Sequence, residues 1–163
     1  MRRIRQGWAL TGKSWGLLRE NRELFRFPVY AGLAVLVVAA ITILPGLYLI
    51  DAGGETAIGV ALTAVGIYLA AFVGIYFGVG LAATADAIFR GESATVGDGL
   101  AVARSRAGAV AGWAAVSTIV GTALAALQNV RGAGPLVAGL LGTAWSLVTY
   151  LAVPVIALEV HAR

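Results

Sequence analysis

Leu62-Thr63-Ala64-Val65-Gly66-Ile67-Tyr68-Leu69-Ala70-Ala71-Phe72-Val73-Gly74-Ile75-Tyr76-Phe77-Gly78-Val79-Gly80-Leu81-Ala82-Ala83-Thr84-Ala85-Asp86 is the stretch that decides the fold class. Every fourth residue gives the row Leu62, Gly66, Ala70, Gly74, Gly78, Ala82, Asp86, and residues four apart on a helix form a ridge. A ridge of glycine and alanine is a groove into which a neighbouring backbone can settle. Tyr68, Leu69, Phe72, Tyr76 and Phe77 stand beside it. The uncharged run from Thr56 to Ala85 is thirty residues long, more than the roughly 20 needed to cross a bilayer. It reads as a membrane helix shaped to be gripped by others.

Composition places the whole chain in the same class. Its 163 residues are 60% hydrophobic and 12% charged, with mean hydropathy +0.88. Soluble domains carry about 25% charged residues, and half that cannot dress a soluble surface of this size. A transmembrane barrel needs segments of about ten residues with alternating polarity, whereas the apolar runs here are about twice as long. The expected fold is all-α: a polytopic helical membrane protein with four transmembrane helices in two hairpins and two amphipathic interfacial helices. The lack of cysteine removes disulfides, thiolate metal sites and cysteine nucleophiles, and the lone His161 reads as a solvent-exposed residue.

Residues 1–27 hold seven of the twelve basic residues: Arg2, Arg3, Arg5, Lys13, Arg19, Arg22 and Arg26. Because the charges run on to Arg26, a cleaved signal peptide is not expected. Ile4, Trp8, Trp15, Leu18 and Phe25 share one helical face, opposite Arg5, Lys13, Glu20 and Glu23. The segment reads as an amphipathic helix in the headgroup layer, with Trp8, Trp15, Arg19, Arg22 and Arg26 at the membrane interface and anionic lipid as the partner.

The first hairpin occupies residues 28–85. Pro28 suits the first turn of a helix. Val29 to Ile50 forms a span that Pro45 should bend or thin, and Asp51 to Glu55 make a short acidic turn. A polar break and an interfacial segment occupy 86–106, where Thr95-Val96-Gly97-Asp98 has capping-box spacing with Asp in place of Glu. The second hairpin, 107–158, pairs a span from Ala107 to Leu127 with one from Pro135 to Leu158. Its small faces are Gly108, Gly112, Gly139 and Gly142, and Pro154 should kink it near Tyr150 to Val153.

Eleven basic residues on one side of these spans against Arg131 on the other place both termini in the cytoplasm of a cell whose plasma membrane the chain crosses. No Asp, Glu, Lys, Arg or His lies in the middle of a span, which argues against proton-coupled transport. Asp86, about a turn inside the cytoplasmic end, reads as an interfacial carboxylate touching water, with an ion pair to Arg104 or Arg106 as the alternative. Deeper polar groups (Tyr68, Tyr76, Thr118, Thr122, Trp145, Ser146 and Thr149) need partners in hydrocarbon, from other helices or from a lipid or quinone. There is no P-loop, dinucleotide fingerprint, zinc spacing or serine elbow, so no cofactor, metal or nucleic-acid partner is expected.

Two runs carry a resemblance. One joins Ser14-Trp15-Gly16-Leu17-Leu18-Arg19 to Arg22-Glu23-Leu24-Phe25-Arg26-Phe27-Pro28. The other runs from Ala82 through Arg90-Gly91-Glu92-Ser93-Ala94-Thr95-Val96-Gly97-Asp98-Gly99-Leu100 to Gly112-Trp113. With Val153-Pro154-Val155 they resemble an uncharacterised family of prokaryotic integral membrane proteins, a domain of unknown function. The resemblance covers most of the chain and implies helical membrane architecture with cytoplasmic amphipathic segments, but no activity. It also implies further helices beyond the Val-Pro-Val span, supplied by a partner or another copy unless this is a short member.

The expected function is non-catalytic: an accessory or scaffolding membrane subunit, or a homo-oligomer. Packing would run through Gly66, Ala70, Gly74, Gly78, Ala82, Gly108, Gly112, Gly139 and Gly142. The alternative is a transporter or channel unit whose pathway forms between copies.

Overall fold

The computed structural model describes residues 22–53 and 55–158. Trp8, Trp15 and Arg19, with the rest of the expected amphipathic segment up to residue 21, lie outside the described residues, as does His161. The elements are α1 (Arg22–Val38), a π-helical stretch (Ala39–Ile43), α2 (Leu44–Asp51), α3 (Thr56–Phe89), α4 (Val96–Ser105), α5 (Ala107–Gln128) and α6 (Gly134–Leu158). No strand occurs among the described residues. The chain is all-α, and four stretches are long and apolar enough to cross a membrane: Leu24–Asp51, Thr56–Phe89, Ala107–Gln128 and Gly134–Ala157.

The two prolines of the first span behave differently from expectation. Pro28 is not in the first turn; α1 already runs from Arg22, and Pro28 lies inside it. Its missing N–H deprives only the Leu24 carbonyl, close to the helix start. Pro45 does not produce a simple bend. The helix widens into π geometry over Ala39–Ile43 just before it, and the Leu44 N–H donates to the Ala39 carbonyl five residues back. A proline ring collides with the carbonyl four residues earlier, and the wider turn moves that carbonyl aside. Thr42 Oγ1 donates to the Val38 carbonyl (2.6 Å) within the same stretch.

The central helix α3 touches α1, the π-helical stretch, α2, α4, α5 and α6. Where α4 lies, Val79, Ala103, Val110 and Ala157 form a sealed core, backed by Phe72, Ile75, Tyr76, Ala82, Val153 and Ile156. Four helices meet there. Elsewhere the outer surface stays apolar, with Leu33, Leu36, Ile41, Leu140, Leu147 and Leu151 exposed. Apolar cover of that extent suits a hydrocarbon solvent rather than water.

The turn from α3 into α4 is built by local chemistry. Gly91 takes a left-handed conformation (φ +84°). Its N–H donates to the Ile88 carbonyl (3.0 Å), and that of Glu92 to Ala87 (3.0 Å), the paired bonds of a Schellman stop. The capping box expected at Thr95 is formed. The Asp98 N–H donates to Thr95 Oγ1 (3.3 Å), and Thr95 N–H and Oγ1 both donate to Asp98 Oδ2 (2.9 and 2.7 Å). These bonds, the Thr95 hydroxyl first and its backbone N–H second, hold the Asp98 carboxyl below its ordinary pKa.

A depressed carboxylate contributes stability above its unfolded pKa and loses it as pH falls through the native value. Independently of that titration, removing the Thr95 hydroxyl deletes the N-cap of α4, a loss that typically costs about 1 kcal/mol. Hydrogen exchange of α4 amides checks this. Exchange should rise in Thr95→Ala at neutral pH, and in the parent only below about pH 4, near the ordinary carboxylate range.

Candidate functional site

Two close helix crossings are made by glycine. In the first hairpin Gly46 and Gly59 face one another. A Cβ on Gly59 would stand 2.7 Å from the Gly46 carbonyl oxygen and 2.9 Å from Ile50 Cγ1. A Cβ on Gly46 would stand 2.9 Å from the Gly59 carbonyl oxygen and from the Thr63 nitrogen. Gly66 continues this line, against Thr42 and 2.7 Å from Ile43 Cγ1.

The second crossing joins α3 to α4. Gly80 and Gly99 bring the two backbones together, with Phe27 from α1 laid across both. A Cβ on Gly80 would be 2.8 Å from the Phe27 ring and 3.3 Å from the Gly99 carbonyl oxygen. One on Gly99 would be 2.9 Å from the ring and would also strike Thr84 Oγ1 and the Gly80 carbonyl oxygen. Phe27 is 1% exposed and Thr84 1%. Thr84 Oγ1 donates to the Thr95 carbonyl (3.4 Å) and Tyr76 to that of Leu100 (3.2 Å), so polar bonds also run from α3 to the α4 segment.

The expected packing row is only partly the contact row. Gly66 is buried, Ala70 and Ala82 are half-buried, and Gly78 has Val153 Cγ1 at 3.4 Å from its Cβ position. Gly142 has Leu124 at 3.9 Å. Among the described residues, Gly74, Gly108, Gly112 and Gly139 seat no helix: nothing stands within 4 Å of a Cβ built on any of them. What reading every fourth residue missed is a spacing of seven. Gly59, Gly66 and Gly80 fall on multiples of seven from one another, with Val73 at the intervening position. A seven-residue repeat keeps one stripe of a helix against neighbours along its whole length.

The alternative reading of Asp86 as an ion-pair partner is redrawn. Asp86 pairs with Arg90 one turn along α3, not with Arg104 or Arg106. Neighbours four apart on one helix meet without ordering a loop, which favours the local partner. Arg106 instead reaches the end of α6, donating from Nη1 to the Ile156 carbonyl (3.1 Å), while Arg104 is exposed. Asp86, Arg90 and Asp98 border a cleft of about 350 Å³ with Thr84 and Gly99 in its wall. Of the expected interface residues, Arg22 opens α1 and Arg26 lies exposed a turn later.

Most deep hydroxyls find partners inside the bundle. Tyr68 donates to the Ala111 carbonyl of α5 (3.4 Å), while Thr122 and Ser146 donate to carbonyls four residues back. The exceptions lie at the α5–α6 seam. Trp113 and Trp145 stack there (5.5 Å between centroids, 16° between planes), and Trp113 Nε1, Ser117 Oγ, Thr118 Oγ1 and Thr149 Oγ1 are shut from solvent without a hydrogen-bond partner. Beside the seam an uncharged groove of about 810 Å³ opens between α3, α5 and α6. Gly74, Gly78 and Ala82 form one wall, and Ser117, Trp145 and Thr149 belong to the other.

A model of a family of unknown function (DUF6159) matches residues 57–162, from the first turn of α3 to beyond α6. No curated protein and no solved structure matches the chain.

Proposed function

The chain belongs to that family of unknown function, and from this premise we propose a non-catalytic, multi-pass membrane protein. It serves as an accessory or scaffolding subunit, associating with its own copies or with other membrane helices through small-residue faces. One observation carries this reading. Gly108 and Gly112, one turn apart on α5, are exposed and have open space where a Cβ would stand. A helix glycine costs roughly 0.5–1 kcal/mol relative to alanine, and nothing among the described residues offsets that cost at these positions. A helix from another copy, approaching as closely as α4 approaches α3, would.

The surplus of basic residues beside α1 and around α4 supports a cytoplasmic location for both termini, with Arg22, Arg26 and the preceding basic segment against anionic headgroups of the plasma membrane. The mass of the particle in mild detergent, corrected for bound detergent, tests the association. A dimer or larger is expected, shifting to monomer in Gly112→Leu, and a monomer for the parent at every concentration removes the proposal. Labelling of a cysteine placed at Asn129 from outside intact cells is the expected sign of orientation; labelling at Ser93 instead would reverse it.

A further inference from the structure

The first span carries one residue more than an unbroken helix between its two fixed points would need. Both points lie on α3: Gly46 sits against Gly59 and Thr63, and the Phe27 ring sits against Gly80. They are nineteen residues apart. At about 3.6 residues per turn, eighteen residues complete five turns, and a nineteenth leaves the two contacts about 100° out of phase. In a plain α-helix of this length one of them would point sideways, off α3. We propose that the π-helical stretch Ala39–Ile43 is a phasing device: it absorbs the nineteenth residue, so that Phe27 and Gly46 share one face and both ends of the span engage α3 at once.

Three observations carry this. First, the widening is confined to a single turn. The residues on either side of it, Val38 and Leu44, have ordinary α geometry (φ −57°, ψ −48° and φ −62°, ψ −48°), and between them the Leu44 N–H reaches back five residues to Ala39. One such turn takes up about one residue more than an α turn. Second, the inward face follows the same count. Phe27, Ala31, Val35, Ala39, Ile43 and Gly46 are buried or half-buried, four steps of four residues and one of three, whereas a plain α-helix returns to the same face after about eighteen residues. Third, proline by itself does not produce the wide turn in this chain. Pro28 and Pro154 both lie within unbroken α-helix, in α1 and α6.

The device also couples the two ends of the span. Were the stretch to revert to α geometry with Gly46 still seated, α1 would turn by about 100° and Pro28 would come to the place of Phe27. The seat of Phe27 on Gly80 and Gly99, which holds α4, thus depends on a turn twelve residues further along the span.

The test uses the full chain in mild detergent, first removes the demand of Pro45, and then changes the residue count. In Pro45→Ala both contacts should persist, because nineteen residues still have to fit five turns. Deleting Ala40, an exposed residue of the stretch, from Pro45→Ala should let the span run as plain α-helix with both contacts kept. Inserting one alanine after Ala40 instead should break at least one of them. An alanine inserted after Ala52, in the turn outside the interval from Phe27 to Gly46, should leave both in place and shows what an insertion costs by itself. Disulfide formation between Leu47→Cys and Val60→Cys follows the Gly46 end, and hydrogen exchange of the α4 amides follows the Phe27 end. Both should stay within about twofold of the parent in the deletion variant, whereas after insertion at Ala40 exchange should rise, or the cross-link fall, at least about tenfold.

Loss of either contact in Pro45→Ala would assign the wide turn to the proline and overturn the proposal. Loss of either contact on deleting Ala40 overturns it too, as does an insertion after Ala40 that is as harmless as the one after Ala52.

Discussion

Gly99→Val should part α4 from α3 and destabilise the protein by more than about 4 kcal/mol, the upper end of what a point substitution does. The Cβ would land on the Gly80 carbonyl oxygen and on Thr84 Oγ1, with the Phe27 ring 2.9 Å away. The ring could turn and the hydroxyl could rotate, but the carbonyl belongs to the backbone of a continuous helix and can move only with it. Separation would also open the sealed space around Phe27 and stretch the bonds from Tyr76 to Leu100 and from Thr84 to Thr95. Thermal loss of the folded particle in mild detergent, read beside hydrogen exchange of α4, measures the effect. Gly97→Ala is the comparison. It lies two residues away in the same helix, and its Cβ would meet only Thr95 Oγ1 at 3.5 Å. There alanine should stabilise by about 0.5–1 kcal/mol through helix propensity. Equal behaviour of the two variants would mean that α4 is not held by this crossing.

The second large effect is expected at Gly59. Gly59→Leu should cost about 3 kcal/mol or more and drive the first hairpin apart, because its Cβ would press on the Gly46 carbonyl oxygen and the Ile50 nitrogen (2.7 and 3.1 Å), both backbone. Gly66→Leu should cost less. Two of the atoms it meets, Thr42 Oγ1 and Ile43 Cγ1, can move with χ1, and only Thr42 Cβ at 3.0 Å is fixed by the backbone. Gly74→Leu, on the same helix and in the same every-fourth-residue row as Gly66, should leave the monomer's stability nearly unchanged, since its surroundings are empty. Cysteine cross-linking between Leu47 and Val60, both exposed positions flanking the crossing, would report hairpin opening in Gly59→Leu. A series in which Gly59→Leu and Gly74→Leu melt alike would show that the Gly46–Gly59 approach contributes nothing.

The paired glycines explain how a chain with so small a sealed core holds together. In hydrocarbon there is little hydrophobic gain from pressing two helices together, and close backbone approach with interhelical hydrogen bonds takes over. The crossing at Gly80 and Gly99 supplies both. Phe27 ties the first span to the same point, which makes the start of α1, the last third of α3 and the short helix α4 one mechanical unit.

The amino-acid sequence by itself determined the solvent class, the four apolar stretches and their order, and the cap that starts α4. Each depends on local quantities: the length of an uncharged run, or the spacing of Thr95 and Asp98. Even the position of the disturbance at Pro45 was legible, although its form, a π-helical widening rather than a bend, was not. Only the tertiary structure decided which glycines touch. Gly46, Gly59, Gly80 and Gly99 do, whereas Gly74, Gly108, Gly112 and Gly139 do not, and both sets look alike along the chain. The same holds for Asp86, which found Arg90 while Arg106 went to the end of α6. The physical reason is that a glycine offers closeness on every side of a helix. Which side is taken depends on the rotation and crossing of the neighbour, a property of two helices that no single stretch encodes.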